Sequence, residues 1–206
     1  WHRLLLSKAA FGHYRIFLIF ANYIELWIVE DDLPTLLSIA VALGSNMNSP
    51  FGPPLETLRA VQPHLISLLM TWGLAERSEL CWSEIVSTQA VGGPAGQDTY
   101  QNAVMLLGIT RREPSVSGAL QLLDHLQELE LQFGRNRERE LRWGPRSLDL
   151  DLLFWGELRV DNPRLALPHP RLHLRAFVLG PLLQAMQTLT SHAGDPVCLI
   201  PMAPLP

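Results

Sequence analysis

Residues 147–154 read SLDLDLLF, and this run constrains the fold of its segment more tightly than any other in the chain. Leu148, Leu150 and Leu152 alternate with Asp149 and Asp151, the period of a strand with one buried face. Both aspartates then share the other face, their Cβ atoms about 6.5–7 Å apart. Ionised carboxylates so close on a partly buried face repel and raise each other's pKa. A cation between them relieves the conflict. Mg²⁺ is a hard, oxygen-seeking ion held by one or two carboxylates plus substrate phosphates. Two such ions, about 3.5–4 Å apart, fit a pair of this kind. The plainer alternative for a bare D-x-D strand is an exposed face with both aspartates solvated.

The residues just upstream favour the metal. Arg135, Arg137, Arg139, Arg142 and Arg146 fall within twelve residues, and a Gly-Pro turn joins them to the strand. Guanidinium forks match phosphate oxygens, and metal with arginine is common equipment for phosphoryl transfer. The only lysine is Lys8, so neither a P-loop nor a protein-kinase strand lysine is available. His169 lies between two prolines with Arg171 and Arg175 downstream, where a histidine can donate to phosphate. Tyr100 and Phe177 read, by themselves, as core aromatics.

Elsewhere the patterns are local. Residues 38–43 form an apolar strand ending at Gly44, and 100–110 a second strand. Residues 79–91 give a weak strand signal, and 92–97 (GGPAGQ) a loop. Helical spacing marks 55–71, with Pro63 expected to kink it, and 117–133, with Ser117 as a cap. A turn at Gly156 leads to a loop over 167–175. The order lacks a strict β-α-β-α rhythm, so the fold class is α+β with a largely antiparallel sheet.

At 206 residues the chain suits one domain with a real core. A net charge of −4, and only one aromatic, Trp143, within the arginine run, count against a nucleic-acid partner. A non-catalytic nucleotide- or RNA-binding module is the competing class. Cys81 and Cys198 make neither a disulfide framework nor a metal spacing, and imply a reducing, cytoplasmic setting. The chain opens on Trp1 and reads as a fragment or a translated open frame. Residues 16–29 mimic a signal peptide, but Glu25 interrupts the run and about 14 apolar residues are too few to span a bilayer. A helix packed on the domain, or upstream sequence that does not fold, is expected there.

Together these residues resemble one family. WGPRSLDLDLLF, upstream FGRNR and downstream LPHPRLHLRAFVLGPL are similar to 6-hydroxymethyl-7,8-dihydropterin pyrophosphokinase of folate biosynthesis. VALGSN (41–46), VGGPAGQDTYQNAV (91–104) and LLDHLQELELQFGR (122–135) follow in the family's order. The resemblance spans residues 39–185, leaving 1–38 as an N-terminal extension and 186–206 as a C-terminal tail. It implies a ferredoxin-like sandwich, and transfer of pyrophosphate from ATP to the pterin hydroxymethyl group with release of AMP. It implies two Mg²⁺ ions on Asp149 and Asp151, a monomer, and small-molecule partners only, with no nucleic acid and no membrane. Arg135 and Arg146 match arginines on loops that close over the phosphates, with Arg142 and Trp143 in the same loop. Tyr100 and Phe177 match the aromatics stacking on the pterin, Asn102 a residue bonding its edge, and Gly44 and Gly92 backbone contacts nearby. Gln127, Glu130, Arg137, Leu152, Arg164, His169 and Arg175 match the ATP site. Ala166 stands where some members carry a contacting threonine, and Gln184 where an acidic residue is expected.

Overall fold

The computed structural model describes residues 38–75, 80–108, 110–138 and 140–193, and three short segments before them. Those segments are β1 (Leu5–Lys8), β2 (Tyr14–Leu18) and β3 (Ile24–Trp27), paired antiparallel in that order. Strands, not the expected helix, therefore occupy parts of 16–29. Tyr14, Ile16, Phe17, Ile24 and Trp27 are types that favour the extended backbone. The last thirteen residues of the tail, with Cys198, lie outside the described residues.

The domain proper begins with β4 (Ile39–Ser45) and α1 (Pro54–Thr71). Two short strands follow, β5 (Leu80–Trp82) and β6 (Val86–Thr88), then β7 (Tyr100–Leu107). Next come α2 (Val116–Gln132) and β8 (Asp149–Trp155). The main sheet runs β5-β7-β4-β8, with β6 beside β7, and every pairing is antiparallel. This β-α-β-β-α-β path is the ferredoxin-like connection. The weak strand signal over 79–91 resolves into β5 and β6.

Both helices of the repeat cover one sheet face. Leu58, Val61, Leu65 and Leu69 of α1 and Leu122, Leu126 and Leu129 of α2 pack on Val41, Leu43, Met105, Leu150 and Leu152. Pro63 lies on the exposed side of α1, and the helix runs through it without ending. The opposite face holds Ala40, Ala42, Val104, Leu106, Leu153 and Phe154, covered by a third helix, α3 (Ala176–Ala193). Gly180 and Pro181 disguise α3 in the sequence, yet Val178, Leu182 and Ala185 keep an apolar stripe at helical spacing. The helix also continues past residue 185, through the first eight residues of the tail. A hairpin of β9 (Val160–Asn162) and β10 (Leu165–Leu167) fills the stretch before the expected loop, and a short 3₁₀ turn, Leu172–Leu174, lies within that loop. Among the described residues no helix is long and apolar enough to cross a membrane.

The Leu153-Phe154 pair breaks the period of two, and the register shifts opposite Ala40 and Val41 at that point. The bulge turns Leu153 and Phe154 onto the α3 face and returns Trp155 to the helical face. The α2 cap is Ser115 instead of Ser117: its hydroxyl accepts from the Gly118 N–H at 3.1 Å, and its backbone is extended. Ser115→Ala should therefore lower unfolding free energy by about 1 kcal/mol, and Ser117→Ala by less than about 0.5 kcal/mol. Urea unfolding of the two variants beside the wild type checks the assignment.

Candidate active site

The sheet pairing assembles one row of the site. Gly44 in central β4 pairs with Asn102 on one side and Asp149 on the other; Ala42 likewise pairs with Asp151. A Cβ at Gly44 would come within 3.4 Å of Asn102 Oδ1 and 3.8 Å of the Asp149 Cβ. Small residues at 42 and 44 thus leave room for the two carboxylates on the α3 side of the sheet.

Arginines from three parts of the chain reach those carboxylates. Arg135, just past the end of α2, places Nη1 at 2.5 Å from Asp149 Oδ1. Arg146 places Nη1 at 3.0 Å from Asp149 Oδ2, and Arg175, at the start of α3, places Nη1 at 3.0 Å from Asp151 Oδ2. Burial would raise the Asp149 pKa, but Arg135 and Arg146 outweigh it and hold the carboxyl below its ordinary value. Asp151 behaves oppositely: burial, and then the charge of Asp149, push it up in spite of His169 and Arg175. Part of the upward push on Asp151 is thus repulsion from Asp149.

That repulsion, and the donor set, fit a divalent ion. The Asp149 and Asp151 side chains remain 22% and 31% exposed, so neither is sealed inside the protein. Among the described residues no group of three or more His, Cys, Asp or Glu converges as a closed cage. Two carboxylates with the remaining positions left to water and substrate oxygens are what Mg²⁺ accepts. His169 Nε2 lies 3.9 Å from Asp151 Oδ2, while Nδ1 accepts from the Arg171 N–H at 3.3 Å. Burial pushes the His169 pKa down against the pull of Asp151. The neutral ring selected by that bond carries its proton on Nε2, on the side of Asp151.

Behind Asp149 stands Glu130. Its carboxylate accepts from Arg135 Nη1 at 2.6 Å, Arg137 Nη2 at 2.5 Å and Nε at 3.0 Å, and the Leu150 N–H at 2.7 Å. Arg135 Nε also donates to Glu140 at 3.1 Å. Gln127 lines a neighbouring cavity with Glu130, Arg135 and Arg137.

A second cleft opens beside Asp149, lined by Gly44, Gly92, Tyr100, Asn102, Trp143 and Phe177, among others. Tyr100 Oη donates to the Gly144 carbonyl at 3.0 Å, and burial raises its pKa, keeping that proton in place. Asn102 Nδ2 donates to Thr88 Oγ1 at 2.8 Å. Most of the residues named from the sequence thus meet around one face, but three do not present their side chains there. Leu152 faces the helices, only 2% exposed, leaving its backbone alone to take part. Arg164, in the β9–β10 turn, pairs with Asp124 on the exposed side of α2. Arg142 lies with its guanidinium 4.8 Å from the centre of the Trp143 ring.

Sequence reasoning missed Asn46, Gln97 and Glu140. Asn46 is buried; its Oδ1 accepts the Arg146 N–H at 2.8 Å and its Nδ2 donates to the Asp98 carbonyl at 3.2 Å. It ties the arginine loop to the loop before β7. Its only signal was an asparagine directly after a buried strand.

The family model for 7,8-dihydro-6-hydroxymethylpterin-pyrophosphokinase (HPPK) matches residues 40–187. The chain belongs to the HPPK family. A Pseudomonas aeruginosa 2-amino-4-hydroxy-6-hydroxymethyldihydropteridine pyrophosphokinase is 42% identical over 144 residues, covering 70% of this chain and 77% of the relative. The Haemophilus influenzae protein of the same name is 37% identical over 154 residues, 75% of this chain and 84% of the relative. A folate synthesis bifunctional protein of Arabidopsis thaliana is 32% identical over 154 residues, 75% of this chain and 28% of that protein. The HPPK match contains the β-α-β-β-α-β unit from the second residue of β4 onward and most of α3.

Glu130 gives this site a pH signature. Burial pushes its pKa from 4.5 up to about 7, although Arg135, Arg137 and the Leu150 N–H pull it down. The folded protein then holds this proton to higher pH than the unfolded chain does. Ionisation of Glu130 weighs against the folded state as pH rises from about 4.5 to about 7, by at most roughly 3 kcal/mol. The stability of the wild type relative to Glu130→Gln should fall across that window in nucleotide-free urea unfolding. A flat difference would show that the arginines cancel the burial cost.

Proposed function

We propose that this HPPK family member transfers the β- and γ-phosphates of ATP, as one group, to the hydroxymethyl oxygen of 6-hydroxymethyl-7,8-dihydropterin in folate biosynthesis. A bond forms between that oxygen and the β-phosphorus, the bond from the β-phosphorus to the α–β bridging oxygen breaks, and AMP leaves. The observation that carries the reading is the meeting of Asp149 and Asp151 on one strand face with Arg135, Arg146 and Arg175 within 3.0 Å. Asp149 and Asp151 would hold two Mg²⁺ ions, which supply charge neutralisation for the transferring phosphates. The arginines exchange their carboxylate partners for phosphate oxygens, to which a guanidinium fork is equally suited. His169 offers its Nε2–H to the same phosphates.

Glu130 fixes Arg135 and Arg137 from behind, so that these two long side chains lose little further freedom when nucleotide arrives. Gln127 stands beside them, and Arg164 and the Leu152 backbone complete the nucleotide side. Tyr100 and Phe177 offer their rings to the pterin, Asn102 bonds its edge, and Gly44 and Gly92 let it approach the backbone. Arg142, Trp143 and Arg146 form the loop above the reacting groups. Residues 39–185 are the catalytic unit on this reading, with 1–38 and 186–206 outside it. This reading takes the chain as a monomer, and cysteine usage supports a cytoplasmic setting.

An assay with ATP, Mg²⁺ and hydroxymethyldihydropterin should release AMP and pterin diphosphate; release of ADP, or no turnover in folded protein, would sink the reading. Asp151→Asn and Asp149→Asn should each lower kcat by about 100-fold or more with much smaller effects on unfolding. Full activity in either variant would refute the metal role.

A further inference from the structure

The arginine loop meets the glycine loop before β7 at the carbonyl of Trp143. A Cβ added at Gly93 would lie 2.1 Å from that oxygen and 2.9 Å from its carbon, both backbone atoms. The same carbonyl accepts Gln97 Nε2–H at 3.0 Å. Trp143 is also the one described non-glycine residue with positive φ, at +58°. A tryptophan occupies that left-handed region only when its surroundings hold it there. Directly after it, the Gly144 carbonyl takes the Tyr100 hydroxyl, the Arg146 N–H reaches Asn46, and the Arg146 guanidinium reaches Asp149.

We infer that Gly93 is a positioning residue for the reaction. With only hydrogen on its Cα, it seats the Trp143 carbonyl against the glycine loop, and that seat sets Arg146 over Asp149. The inference rests on the pyrophosphokinase reading for its catalytic consequence, but the seat can be observed without substrates. Gly96 supplies the control. Its φ is +78°, the same as that of Gly93, yet nothing lies within 4 Å of a Cβ built on it. Alanine at either position meets the same backbone strain, and only at 93 does it also collide with Trp143.

The test compares Gly93→Ala, Gly96→Ala and Gln97→Ala in the full chain, by hydrogen exchange of the Gly144 and Arg146 amides without substrates and by AMP release. Gly96→Ala should exchange like the wild type and keep kcat within about twofold. Gly93→Ala should exchange about tenfold faster or more at both amides while remaining folded. Its kcat should drop roughly 10- to 100-fold, with smaller changes in KM for ATP, since a misplaced arginine affects the reacting geometry more than nucleotide capture. Gln97→Ala, which removes the bond without adding bulk, should fall between. Matching behaviour of Gly93→Ala and Gly96→Ala in exchange and in kcat overturns the inference. Should Gly93→Ala not fold, wild-type exchange at both amides in Gln97→Ala overturns it. A wild type releasing no AMP overturns the pyrophosphokinase reading instead, and the exchange comparison still decides the seat.

Discussion

One guanidinium joins the helical layer to the reactive end of the sheet. Arg135 Nη1 stands 2.6 Å from Glu130 on α2 and 2.5 Å from Asp149 on β8, and its Nε reaches Glu140 in the following loop. Burial alone would lower the Arg135 pKa, but Asp149 and Glu130 outweigh it, so the group stays charged. Removing one member of such a buried network leaves its partners uncompensated, which costs far more than a surface ion pair. The Leu150 N–H on the same Glu130 carboxylate ties the strand backbone into the network. The end of α2, the start of the arginine loop and the first residues of β8 are therefore tied into one unit.

The rest of the site is hung from that unit. Asp149 receives Arg146 from the far end of the same loop, and Asn46 holds the backbone of Arg146 at the end of β4. Small residues in central β4 open the face on which the carboxylates stand, while α3 closes its other end and brings Arg175 to Asp151. Charge of each sign is thus supplied by separate elements, and the sheet register sets their spacing.

Much of this was legible from local pattern. The period of two placed both aspartates on one face and the leucines on the other, because a strand offers only two sides. The spacing of Leu58, Val61 and Leu65 marked α1, and the run from Leu122 to Leu129 marked α2. The family resemblance added the substrates and the roles of single residues, which periodicity does not carry. Other features escaped. A serine two residues from the true cap has the same local chemistry, and only backbone geometry separates Ser115 from Ser117. Gly180 and Pro181 weaken helix propensity, but packing of Val178, Leu182 and Ala185 against the sheet overrides it. Asn46 and Gln97 carry no signal that distinguishes them from ordinary loop amides.

By itself the sequence determined β4, α1, β7 and α2, the two-faced β8 with its charged side, and a chemistry of carboxylate, arginine and phosphate. These follow from residue type and short-range spacing, which act before the chain has folded. Tertiary structure alone decided which arginine meets which carboxylate. Arg135 lies fourteen residues before Asp149 and Arg175 twenty-four after Asp151, and only strand order and helix docking bring such distant groups within hydrogen-bond reach. It also decided that Glu130 should be buried and pushed up to about 7. Desolvation belongs to a packed environment, and no single residue or local motif contains it.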